Sequence, residues 1–153
     1  KEEKPKVMKH LPPCLIVDGY NMIFSWDIFK EYKDDELEIS REKLLDILFN
    51  YQAFTGEKMI VVFDGYKVKD NLGTIYSRKD MEVVYTSSNL TADAYIERFV
   101  ADHQKEYDLT VVSSDSLIQN AIFAHGAKRM SARELFGRIT FINQEIEEQL
   151  AHS

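Results

Sequence analysis

Four short apolar runs dictate the architecture of this chain: CLIV (14–17), MIVVF (59–63), MEVVYT (81–86) and LTVVS (109–113). Each has the length of a strand, and the unbroken apolarity of CLIV and MIVVF, as opposed to alternation, predicts strands covered on both faces. Helical patterns separate them. Over 40–54, Leu44, Leu45, Leu48, Tyr51 and Phe54 recur at helical spacing, with Gly56 as a stop signal. TADAYIERFVADHQKEY (91–107) places Ile96, Phe99 and Val100 on one helical face, and 115–125 reads as a short helix. AKRMSARELF (127–136) predicts a short fifth strand and a turn of helix, and GRITFINQEIEEQL (137–150) a C-terminal helix. The stretch 66–81 has no clean period and reads as a long loop. Residues 1–13, broken by Pro12-Pro13, read as a flexible lead-in, leaving 14–153 as one domain.

Strands alternating with helices predict an α/β fold in layers, with a mainly parallel central sheet flanked by helices. Right-handed crossovers then align the C-terminal ends of the parallel strands along one edge, where open α/β sheets bind ligands. What stands at those ends therefore matters most. CLIV runs into Asp18, MIVVF into Asp64 and TVVSS into Asp115; Asp93 opens the next helical segment and Glu97 follows one turn later on the same face. Each has a structural explanation alone, as a helix cap, a dipole partner or a turn residue. Together they do not, because caps and turns are served equally well by Ser, Thr and Asn, whereas converging carboxylates repel unless a cation neutralises them. An all-oxygen donor set predicts a hard cation, Mg2+ or Mn2+. Asn21 and Ser114 stand where they would orient a water or a carboxylate.

The rest of the composition narrows the field. The net charge of −7 argues against a general nucleic-acid coat. Yet EYKDDELE (31–38) and NQEIEEQL (143–150) alone hold eight acids against one lysine, so much of the excess reads as solvated surface. Cys14, the single cysteine, excludes an internal disulfide and reads as a core thiol. His10, His103, His125 and His152 show no ligand spacing. No apolar run approaches the ~20 residues of a membrane span, and the charged N-terminus lacks a signal-peptide core, so the expected compartment is the cytoplasm. The P-loop pattern and the dinucleotide-binding glycine pattern are both absent. The third strand ends Tyr85-Thr86 where a phosphoacceptor receiver needs an aspartate, and Tyr20 stands where an aspartyl phosphatase needs its second one. Metal-assisted phosphodiester hydrolysis remains.

LIVDGYNMI, VVFDGY, TADAYIERF, VVSSD and SARELF, in this order from Cys14 to Phe136, resemble the YacP-like NYN domains, a branch of the PIN-like nuclease superfamily. The resemblance implies a PIN-like, Rossmann-like three-layer fold and divalent-metal-dependent endoribonuclease activity. For this branch it also implies mRNA cleavage in association with the ribosome. By motif, Asp18, Asp93 and Asp115 match the acidic core, Asn21 the asparagine of the NYN group, and Glu97 the helix beyond TAD. Asp64 matches a recurring block, as a further candidate ligand.

RNA contacts are expected from two basic segments, since phosphate contacts supply most sequence-independent affinity. The 66–81 loop carries Lys67, Lys69, Arg78 and Lys79, with Tyr66 and Tyr76 available to stack on bases; it leaves the sheet just after Asp64. The 127–138 segment carries Lys128, Arg129, Arg133 and Arg138. Two other classes compete with the nuclease reading: a catalytically idle PIN-like module that binds RNA or the ribosome, and a DNA flap nuclease. The second lacks chain for DNA-gripping elements. The first gains nothing from placing repelling carboxylates near phosphate.

Overall fold

The computed structural model describes residues 10–32, 34–65, 74–78, 80–87, 89–123 and 125–152. Along the chain run β1 (Pro13–Asp18), α1 (Gly19–Ser25), α2 (Leu37–Thr55), β2 (Lys58–Phe63), β3 (Thr74–Arg78) and β4 (Met81–Tyr85). After these come α3 (Ala92–His103), β5 (Asp108–Val112), α4 (Ser116–Phe123), β6 (Lys128–Met130) and α5 (Ala132–Ala151). Among the described residues six strands form one sheet in the order β3-β4-β2-β1-β5-β6. Every pairing is parallel except β3 with β4. From β1 the chain builds outward through β2 and β4, then returns to the other side of β1 for β5 and β6. The reversal makes the C-terminal ends of β1 and β5 the crevice where such sheets take ligands.

Alternation along each strand sorts side chains into two cores. Leu15, Val17, Met59, Val61, Phe63 and Val112 face α1, α2 and α5, meeting Met22, Trp26, Leu44, Leu48, Leu135 and Ile139. Cys14, Ile16, Ile60, Val62 and Val111 face α3 and α4, meeting Ile96, Val100, Ile118 and Ile122. A sheet covered by helices on both faces is the PIN-like three-layer arrangement. Cys14 is buried and its thiol is pushed up to about 12 by that burial, as a packed core thiol should be. Of the expected apolar stripe on α2, Leu44, Leu48 and Tyr51 are buried while Phe54 is exposed in the last turn, just before Gly56 ends the helix with φ 72°.

Three local expectations change. DGYN opens a helix, α1, whose entry is tight: a Cβ on Gly19 would lie 2.3 Å from the Phe63 ring. Part of the expected long loop is an edge strand, β3, pairing antiparallel from Thr74↔Tyr85 to Arg78↔Met81. The two C-terminal helical pieces are one helix, α5, started by Ser131, whose hydroxyl accepts from the Glu134 N–H at 3.0 Å. Of the lead-in expected at 1–13, residues 1–9 lie outside the described residues and Pro13 already opens β1; residues 66–73 of the expected loop also lie outside them. Among the described residues no helix is long and apolar enough to cross a membrane.

Candidate active site at the sheet edge

Asp18 is the last residue of β1 and the N-cap of α1, its Oδ1 accepting from the Asn21 N–H at 3.4 Å. The fully buried Ser113, just beyond β5, donates its hydroxyl to Asp18 Oδ2 at 3.3 Å. The same hydroxyl accepts from the Asp115 N–H at 3.1 Å, so one side chain ties the Asp18 carboxylate to the Asp115 backbone. The Ser114 N–H donates to Asn21 Oδ1 at 2.8 Å, pinning α1 to the loop after β5. Ser114 Oγ accepts from the Ala132 N–H at 3.1 Å, which adds the start of α5 to the same knot. The Gln119 side-chain amide closes the loop on the Ser113 carbonyl. Across the sheet, the buried Thr86 hydroxyl accepts from the Gly65 N–H at 2.9 Å, fixing the turn that carries Asp64.

Asp93 arrives from the other direction. Thr91 caps α3 by accepting from the Ala94 N–H at 3.1 Å, and Asp93 sits in the first helical turn, where the helix dipole favours a negative charge. Its structural and functional explanations therefore coexist, as they do for the capping Asp18.

Electrostatics ties these groups together. Burial pushes the Asp18 carboxyl up to about 6; the Asn21 N–H and the Ser113 hydroxyl pull it down, and the charges of Asp93 and Asp115 push it further up. The Asp93 carboxyl is also raised, chiefly by burial, then by Asp115 and Asp64. Asp18, Asp93 and Asp115 thus share one field at the switch point, and Asp64 joins it through Asp93. Glu97 is exposed one turn along α3, and neither raised carboxyl owes its shift to it. Among the described residues no group of three or more His, Cys, Asp or Glu stands in a ready-made metal-binding arrangement.

Asn21 and Ser114, expected to orient a water or a carboxylate, have structural partners here. Asn21 spends its carbonyl on a backbone N–H, so it fastens the site's frame. Ser114 turns its hydroxyl to α5, and its neighbour Ser113 is the one that meets Asp18. The basic segments also divide. Arg78 ends β3 beside Met81, the first residue of β4, so it lies at the sheet edge opposite Asp64, its guanidinium 3.9 Å from the centre of the Phe49 ring. Lys128 opens β6 and pairs with Asp108 at the start of β5 at 3.0 Å, again on the opposite edge. Arg129 is exposed on β6, and Arg133 is exposed in the first turn of α5, next to the Ser114–Ala132 knot. Lys67, Lys69 and Lys79 lie outside the described residues. Ser113, Thr86 and Gln119 were not singled out from the sequence. Only the SSD spelling after a strand hinted at Ser113, and nothing marked the other two.

Known proteins bear on the same residues. A match to the YacP-like NYN domain spans residues 15–153. The chain is 39% identical to YacP of Bacillus subtilis (strain 168) over 137 residues, covering 89% of this chain and 80% of that protein. It is also similar to two crystal structures of Rae1 (YacP) from Bacillus subtilis. One, of a point mutant, has a TM-score of 0.79 at 35% identity over 92% of this chain and 82% of the other. The second has a TM-score of 0.74 at 36% identity over 91% and 80%. NYN domains are nuclease-type domains, so this likeness suggests an RNA-related nuclease function. By sequence match, fold and strand-end chemistry alike, the chain belongs to the YacP-like NYN domain family.

Proposed function

We propose that the protein is a divalent-metal-dependent endoribonuclease that cleaves RNA, with mRNA on the ribosome as its substrate. The observation that carries this reading is the crowding of Asp18, Asp93 and Asp115 at the switch point of the sheet, where burial first and neighbouring carboxylates second raise the Asp18 and Asp93 carboxyls. Acids held against their own charge in a crevice have a function to serve, and an all-oxygen donor set suits Mg2+ or Mn2+. Asp18, Asp93 and Asp115 would hold the ion, with Asp64 completing the set. A bound ion would lower the pKa of a water and offset charge on the phosphate. The chain's own share is positional: Ser113 holds Asp18 and the Asp115 backbone, Asn21 fastens α1 to the loop, and Thr86 sets the turn of Asp64. The mRNA and ribosome assignment rests on the family resemblance.

One observation favours the second reading, an idle module that binds RNA or the ribosome: the described residues hold no ready-made cluster of three ligands. Cleavage separates the two. Purified protein should cut unstructured RNA with Mn2+ or Mg2+ and stop in excess EDTA, and ribosomes carrying mRNA should be cut faster than free RNA. Binding of RNA without any cleavage under all these conditions would select the idle module.

A further inference from the structure

Arg41 lies on α2, outside both basic segments of the sequence. Its guanidinium donates to the Tyr20 hydroxyl at 3.0 Å, and among the described residues it forms no ion pair. That is unusual for a half-buried cation in a chain of net charge −7. Tyr20 follows Asp18 and Gly19 at the start of α1, and the charge of Asp64 reaches its phenol. Its ring is locked edge-on against Phe63, with centroids 5.1 Å apart. A neutral phenol accepts one N–H of the guanidinium and leaves its charge unneutralised, with further N–H donors open to a phosphate.

The Tyr20 ring has a second aromatic neighbour. Phe24, one turn along α1, stacks on Tyr20 at 6.0 Å and 20°, yet 57% of its surface is exposed. It borders a cleft of about 190 Å3 that Phe29, Tyr32 and Lys30 also line. An exposed ring beside an aromatic cleft offers a nucleobase a flat partner, as single-strand binders do.

We infer that Arg41, held by Tyr20, binds a backbone phosphate of single-stranded RNA on the Asp64 side of the site, while Phe24 stacks on the adjoining unpaired base. This inference rests on the reading of the protein as an RNA nuclease and adds the direction in which the strand leaves the carboxylates. Arg41 and Phe24 are substrate-contacting residues, and Tyr20 is a positioning residue.

The test is equilibrium binding of a fluorescent single-stranded RNA and of a duplex RNA in EDTA, where no cleavage intervenes. Arg41→Gln should weaken single-strand binding roughly tenfold at low salt and reduce the salt slope by about 0.7, the value for one phosphate contact on a single strand. Phe24→Ala should weaken single-strand binding roughly tenfold without changing the salt slope, and leave duplex binding unaltered. Tyr20→Phe keeps the ring and should lose part of the Arg41 effect, and Arg41→Lys should restore the slope. Wild-type affinity and slope in both Arg41→Gln and Phe24→Ala, with RNA still bound, would overturn this surface and leave the nuclease reading standing. No RNA binding by the wild type would overturn both. A loss shared equally between single strand and duplex in Phe24→Ala would remove the stacking role.

Discussion

Asp18→Asn should make the metal-free protein more stable at pH 7 and at the same time abolish RNA cleavage. In the folded protein burial, with Asp93 and Asp115 behind it, raises the Asp18 carboxyl from an ordinary 3.8 to about 6. A carboxyl raised on folding binds its proton more tightly in the native state, so the contribution of this group to stability is fully present below about pH 4 and is lost as pH rises through 6. That rise corresponds to about 3 kcal/mol, which solvent screening at a half-buried group reduces to about 2. Asparagine carries no charge and caps a helix as well as aspartate, so the Asn21 N–H keeps its acceptor. Urea unfolding at pH 4 and pH 7.5 reads the effect: a gain of about 2 kcal/mol at pH 7.5 that vanishes at pH 4. A variant less stable than wild type at pH 7.5 would mean that Asp18 is held for structure alone.

The largest loss of stability is expected at Trp26, outside the carboxylate cluster. Its ring is buried, lies at 17° to Phe29 and meets Phe136 edge-on, and its indole N–H donates to the Ala132 carbonyl at 2.8 Å. Ala132 is the residue whose N–H reaches Ser114, so Trp26 anchors α5 and, through it, the loop that carries Asp115. Trp26→Ala should cost about 3–5 kcal/mol by denaturant midpoint, the range for emptying a large core site. Trp26→Phe, keeping bulk but leaving a carbonyl without its donor, should cost about 1–3 kcal/mol. A cost below about 1 kcal/mol for Trp26→Ala would contradict the anchoring role.

The buried parallel strands were legible because burial on both faces writes itself as unbroken apolar runs, as in CLIV and MIVVF. Asp18, Asp64 and Asp115 were legible for the related reason that a charge cannot enter such a run and so stands at its end. β3 was not, because an edge strand such as TIYSR needs no apolar run and draws its hydrogen bonds from β4. α1 was hidden because Asp18 and Gly19 carry the spelling of a turn, although here aspartate caps a helix and glycine makes room for Phe63. α5 looked like two pieces because only Ala132, Leu135 and Ile139 are buried, leaving its C-terminal half without a stripe to read. Ser113 had only the SSD spelling after a strand to mark it, and Thr86 and Arg41 had no signal at all. A single hydroxyl or guanidinium acquires its role from what the fold sets against it, and spacing along the chain does not encode that.

The central claim is that Asp18, Asp93 and Asp115 form a site for a divalent ion, and thermal unfolding with and without Mn2+ at pH 7.5 tests it most directly. An ion that binds only the folded state raises the unfolding temperature in proportion to the logarithm of its concentration. Wild type should show that rise and Asp18→Asn should not, even though the variant begins from the higher temperature. Equal Mn2+ responses in the two proteins, or none in the wild type, would contradict the metal site.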